Sequence, residues 1–276
     1  MPQILTTILV PIGILVGLVA LVVGYILLRL VSAMRTWSPT DSKPRYVDRD
    51  DPWVDPRLSA QVSPLVSQFA GRGYVEVGRV LSEPGSGTLR LDVFMVDAAT
   101  MIELTLSADL MFRSPNINPW LWASFESRSD KGERLITSNS MILACKENLP
   151  DRATSLVAVG IQDSGTVEIL HGAHARDVQF ACTTLRRSAQ ERLSEAVRER
   201  GRLLQRMMTE RQIVLSPDQK LMRHRWRYIV SRFGQVFSST GKRESAAQHK
   251  RAEELLLAAG LTKEQFERSM KRTPRA

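Results

Sequence analysis

The chain has 276 residues, enough for one or two domains with a buried core, and its 43% hydrophobic and 24% charged residues exclude wholesale disorder and a polytopic membrane protein. The formal charge of +9 is spread unevenly: residues 1–56 carry 5 basic and 5 acidic side chains, residues 57–176 carry 11 and 13, and residues 177–276 carry 22 and 11. Such a C-terminal surplus attracts nucleic acid and anionic membrane surfaces alike, so charge alone does not choose between them.

From Ile4 to Leu28 no residue is charged and nearly all are Leu, Ile, Val, Gly or Ala. A helix of that length reaches about 38 Å at 1.5 Å per residue, enough to cross a bilayer with some tilt. Val31-Ser32-Ala33 resembles a signal-peptide cleavage site, but the apolar run is long and no Lys or Arg precedes it. Residues 1–35 are therefore expected to form a retained signal-anchor. Arg29, Arg35, Lys43 and Arg45 follow the span, and by the positive-inside rule this places the N-terminus outside and the remainder in the cytoplasm, at the cell membrane. Two cysteines, Cys145 and Cys182, without a framework spacing, agree with a reducing compartment. Gly13, Gly17, Ala20 and Gly24 fall on one helical face, which suits close approach of two spans and hence a homodimer.

Residues 36–56 are rich in proline and acid and lack an apolar period, which predicts a flexible tether with a span of about 25 Å. Over 57–70, Leu58, Val62, Leu65, Val66 and Phe69 have helical spacing, interrupted by Pro64 and ended by Gly71-Arg72-Gly73. The period then changes to two. Strands are predicted from Tyr74 to Leu81, Leu89 to Met95 and Ile102 to Leu106, then over 119–127, 133–138, 154–161 and 165–171, with turns at Pro84–Gly87, Asp130–Gly132 and Asp163–Gly165. The short connections predict an antiparallel meander of six to seven strands, making residues 57–176 an α+β domain. A strand series followed by a helix resembles, in order of elements alone, the pleckstrin-homology-like barrels, which implies lipid-headgroup or peptide binding.

The last third should be helical: one long helix from Asp177 to about Gln212, and a partner opened by Ser216-Pro217-Asp218-Gln219 as an N-cap with a capping-box glutamine. Together they make 177–240 a helical hairpin. In the second helix Met222, Trp226, Ile229, Val230 and Phe233 trace an apolar face, while Arg223, Arg225, Arg227 and Arg232 lie on the others. The pattern suits an interfacial helix on anionic lipid and equally a hairpin packed against its neighbour. Residues 241–276 then hold a helix pair, 244–259 and one capped by Thr262 and Gln265, joined at Gly260. This spacing also fits a helix-turn-helix, although Glu264 and Glu267 would repel phosphates.

For chemistry, His171, His174 and Cys182 carry the nitrogen and thiolate donors that zinc takes, but H-x2-H-x7-C is no standard zinc spacing and a fourth ligand would have to come from elsewhere. No G-x-S-x-G, H-E-x-x-H or P-loop stands in the chain, so no residue is assigned a catalytic or cofactor-binding role. Trp120 and Trp122 share a strand face and either line a groove or cover the sheet. The expected protein is a single-pass, cytoplasmic-facing scaffold that binds a protein partner without catalysis and without a cofactor. Its partner surface is Arg223, Arg225, Trp226, Arg227, Arg232 and Phe233. One alternative is a membrane-tethered binder of nucleic acid or a ribosomal surface; another is a metal-dependent enzyme around His171, His174 and Cys182.

Overall fold

In a computed structural model, the described residues are 44–85, 88–110, 118–140, 152–157, 160–183, 185 and 188–271, with 38–39 and parts of 16–28. The expected span from Ile4 to Leu28 thus lies mostly outside them. Its described residues are helical, and Val16, Leu18, Val19, Leu21, Val22, Tyr25 and Leu28 are exposed. Among the described residues no helix is long and apolar enough to cross a membrane.

Helix α1 (Pro56–Ala70) opens as its sequence dictates. The Asp55 carboxylate accepts from the Arg57 amide at 2.9 Å, and Pro56 occupies the first turn, where its missing N–H costs nothing. Pro64 is tolerated inside the helix, and Leu58, Val62, Val66 and Phe69 form its buried face. The chain then builds β3 (Val75–Gly85), β4 (Thr88–Asp97), β5 (Ile102–Leu110), β6 (Trp120–Arg128), β7 (Arg134–Ser138) and β8 (Ala153–Val157). With β2 (Arg45–Val47) on the edge beside β3, they form a mixed seven-stranded sheet in sequential order, within an α+β fold. Part of the expected tether is therefore sheet. The order among described strands is open, from β2 at one edge to β8 at the other, which departs from a closed barrel layout.

The expected all-antiparallel meander fails at its last step, because β8 runs parallel to β7. A parallel return needs a crossover of about a dozen residues, whereas a hairpin needs only a few, and the long 139–152 connection supplies that length. The seventh predicted strand, 165–171, is instead helix α2 (Ser164–Asp177). Asp163 caps it, accepting from the Gly165 and Thr166 amides, so the residues read as a turn are an N-cap. Val167, Leu170, His171 and His174 point inward at helical spacing, while Ile169, which a strand would place beside them, is exposed.

Differences continue downstream. Residues 178–183 are not helical, and α3 (Ala189–Thr209) begins only at Ser188, whose hydroxyl accepts from the Glu191 amide at 3.1 Å. The expected helical hairpin is broken by a β-hairpin, β9 (Ile213–Leu215) and β10 (Leu221–His224). Ser216-Pro217-Asp218 begins a turn rather than a helix. The Gln219 amide donates to the Ser216 carbonyl at 2.9 Å, and the Ser216 hydroxyl accepts from the Leu221 amide at 2.9 Å. Serine followed by proline suits the first two places of such a turn as well as a helix start, so the sequence signal is shared. On the far side of β10 lies β1 (Ser38–Pro39), completing a three-stranded antiparallel sheet in the order β1-β10-β9.

The chain ends with α4 (Trp226–Phe237), α5 (Ser239–Ala258) and α6 (Lys263–Ser269). The α6 capping box is as expected: the Gln265 amide donates to the Thr262 hydroxyl and the Thr262 amide to the Gln265 side chain. Gly260, at a φ of 94°, makes the turn before it. Two of these helices belong to the core. Ala252, Leu255, Leu256 and Phe266 join one hydrophobic cluster with the sheet, α1 and α2.

The sheet thus has two unlike faces. Leu91, Val93, Met95, Leu104, Leu106 and Phe125 point to one, under α1 and α2, with α5 packed behind α2. Phe69, Tyr74 and Phe125 meet edge to face there, with centroids 5.4 to 6.4 Å apart. The other face carries Arg90, Asp92, Glu103, Asp109, Glu126, Arg128 and Arg134, and α3 lies against its Glu103–Arg134 part.

Candidate functional site

Helix α2 places His171 and His174 one turn apart on its inward side. His171 is fully buried, with Nε2 2.9 Å from Ser127 Oγ and Nδ1 3.1 Å from Thr137 Oγ1. The same Thr137 oxygen lies 3.3 Å from His174 Nδ1. Burial, reinforced by His174 and opposed by Glu126, pushes the His171 pKa down to about 3. Burial also lowers that of His174, against the pull of Asp177. Both rings are neutral at neutral pH, and a neutral imidazole, with one donor and one acceptor, matches the hydroxyls around His171. Ser127 and Thr137 are themselves buried, and with His171 they form a packed polar hub between α2 and the sheet.

Cys182 is held apart from this pair. The non-helical segment after α2 carries it to the turn between β4 and β5, where its thiol donates to the Met101 carbonyl at 3.0 Å. Among the described residues no group of three His, Cys, Asp or Glu side chains is placed to hold a metal ion. The structure therefore brings together two of the three residues singled out for zinc.

The charged face was not foreseen. Glu103 and Glu126 stand directly opposite each other on β5 and β6. Arg128 donates to Glu126 at 2.6 Å and lies 3.8 Å from Glu103, and Arg134 donates to Glu126 at 2.7 Å. From α3, Glu195 accepts two bonds from Arg128, at 3.1 and 3.0 Å, and Glu199 pairs with Arg134. Arg192 completes the set. Its Nη2 lies 3.3 Å from both Glu103 and the Met95 carbonyl, and its guanidinium sits 4.8 Å from the Phe94 ring. The side chains of Arg192 and Glu103 are each 1% exposed. Burial works against the Arg134 charge, but Glu126, Glu199 and Glu195 outweigh it and raise its pKa.

Further along this face Arg90 donates twice to Asp109, at 2.7 and 2.9 Å, and lies 5.0 Å from the Trp122 ring. Asp92 accepts from the Ser107 hydroxyl, and burial raises its carboxyl above the usual range despite Arg90. Trp120 is exposed at the strand's start. The network ties α3 to the sheet through Arg128, Arg134 and Arg192, beside the buried Phe94, Val96 and Ile136 of the same face.

The surface named from the sequence is divided by the fold. Arg223 lies on β10, and its neighbour Arg225 follows it, donating from Nε to the Ile213 carbonyl at 3.3 Å. Trp226 and Arg227 open α4, exposed, with Val230 exposed one turn on, while Ile229 is fully buried. Helix α4 packs against α5. Arg232 and Phe233 are on α4, their side chains outside the described set. In the N-terminal segment, among the described residues, no atom outside the helix's own backbone comes within 4 Å of where a Cβ would stand on Gly17 or Gly24, and Gly13 and Ala20 lie outside the described residues. No family model, curated protein or solved structure matches this chain.

Proposed function

We propose that the protein is a single-pass membrane-anchored interaction protein, with its α+β domain and basic C-terminal region facing the cytoplasm. The observation that carries this reading is the uncharged run from Ile4 to Leu28, followed by Arg29, Arg35, Lys43 and Arg45. The exposure of every described large apolar side chain between Val16 and Leu28 supports it, since a helix apolar on all sides requires a nonaqueous surrounding. The neutral, buried His171 and the paired carboxylates of the charged face favour a binding role over catalysis.

The test is affinity purification of the full chain from gently solubilised membranes, with and without nuclease. A defined protein partner that survives nuclease is the expected result. Proteins that vanish on digestion would replace this reading with a tethered nucleic-acid binder.

A further inference from the structure

The β1–β10 pairing sets the direction in which β1 runs. Ser38 pairs with Met222 and Pro39 with Leu221, antiparallel, so the chain enters β1 from the end of β10 where His224 and Arg225 stand. The turn at 216–220 is at the opposite end. Nine residues lie between Leu28 and Ser38, so the two are at most about 36 Å apart fully extended. The same register places the start of β9 at this end: His224 pairs with Ile213, and the Arg225 amide donates to the Gln212 carbonyl at 2.8 Å.

Arg211, Arg225 and Arg227 are all exposed here, beside Trp226 and Val230, which are 50% and 49% exposed. Glu210, an acid, is also exposed at this end. From Lys220 to Arg243 the chain contains seven Lys or Arg and no Asp or Glu. Cations around an exposed indole and a β-branched apolar side chain match the interface of an anionic bilayer, where the indole sits at headgroup depth and each cation gains from the surface potential.

We infer that the Arg211, Arg225, Trp226, Arg227 and Val230 surface lies on the anionic inner leaflet, held there by the pairing of β1 with β10. This rests on the anchor reading of residues 4–28. The small sheet then acts as a clamp: the strand that follows the anchor is also the strand that positions the basic surface.

The test uses the full chain reconstituted into vesicles of phosphatidylcholine with or without about 30% phosphatidylglycerol, carrying brominated acyl chains that quench nearby tryptophan. The chain has five tryptophans, so the Trp226 contribution is the difference between the wild type and Trp226→Phe. Quenching of that contribution in anionic vesicles, weaker in neutral ones, reduced at high salt and lost in Arg225→Glu/Arg227→Glu, is expected. Retention in the vesicles after alkaline carbonate, with Trp226 equally unquenched in both lipids, would overturn the inference, leave the anchor standing and free the surface for a protein partner. Release by carbonate would overturn the anchor reading and the inference with it.

Discussion

The two faces of the seven-stranded sheet are held by different physics. Under α1 and α2 the contacts are mostly Leu, Val, Met and Phe, whose burial is nondirectional, with the Ser127, Thr137, His171 and His174 contacts as a polar island beneath α2. Under α3 three arginines and four glutamates form one network beside the buried Phe94, Val96 and Ile136, and their attraction depends on every partner being present. Burying charge is costly unless it is paired, so the second face trades robustness for a defined seat for α3.

The largest expected effects separate the two. Phe125→Ala should lower unfolding stability by about 3–5 kcal/mol through lost transfer and an unfilled cavity, by the same amount at low and high salt. Arg192→Ala should cost a similar amount, about 3–5 kcal/mol, because it strips the buried Glu103 of a partner. Replacing both members of that pair with apolar residues, as Arg192→Met with Glu103→Leu, should restore most of it. Thermal unfolding of the four proteins checks the contrast, and a double variant no better than Arg192→Ala would mean that α3 is not seated by charge balance.

The next effect is pH dependence on the apolar side. Because burial holds His171 near 3 while an unfolded histidine titrates near 6.5, the unfolded chain takes up the proton first. Its contribution to stability is whole above pH about 6.5 and is lost as the pH falls toward 3. His171→Asn, which keeps a donor and an acceptor, should reduce the loss of melting temperature between pH 7 and 4. The His171 imidazole titrating near 6.5 in the folded protein, identified by NMR through its loss in His171→Asn, would contradict the burial argument. The smallest effect is at the α1 start, where Asp55→Ala removes the cap and should cost about 1 kcal/mol, again read from thermal unfolding.

Much of the apolar face was legible in the sequence. Leu89, Leu91, Val93 and Met95 alternate with Arg90 and Asp92, and the α1 stripe and the α6 capping box announce themselves locally. Where local chemistry serves two structures, reading failed: Asp163-Ser164-Gly165 suits a turn or an N-cap, and Ser216-Pro217 suits an N-cap or a turn. The charged face had no local signal, because Arg192 meets Glu103 only after 88 intervening residues have folded between them. The pairing of β1 with β10 was equally hidden, since a two-residue strand at Ser38–Pro39 is too short to show a period. The basic surface itself was legible as an amphipathic stretch, but which of its residues stay exposed depends on the hairpin that precedes α4.

Membrane anchoring is tested most directly by alkaline carbonate extraction of membranes from cells producing the full chain, combined with protease added to sealed cells. Retention in the pellet, with the α+β domain protected until the membrane is opened, is the predicted result. Release of the intact chain into the carbonate supernatant, or digestion of the domain in sealed cells, would contradict the account.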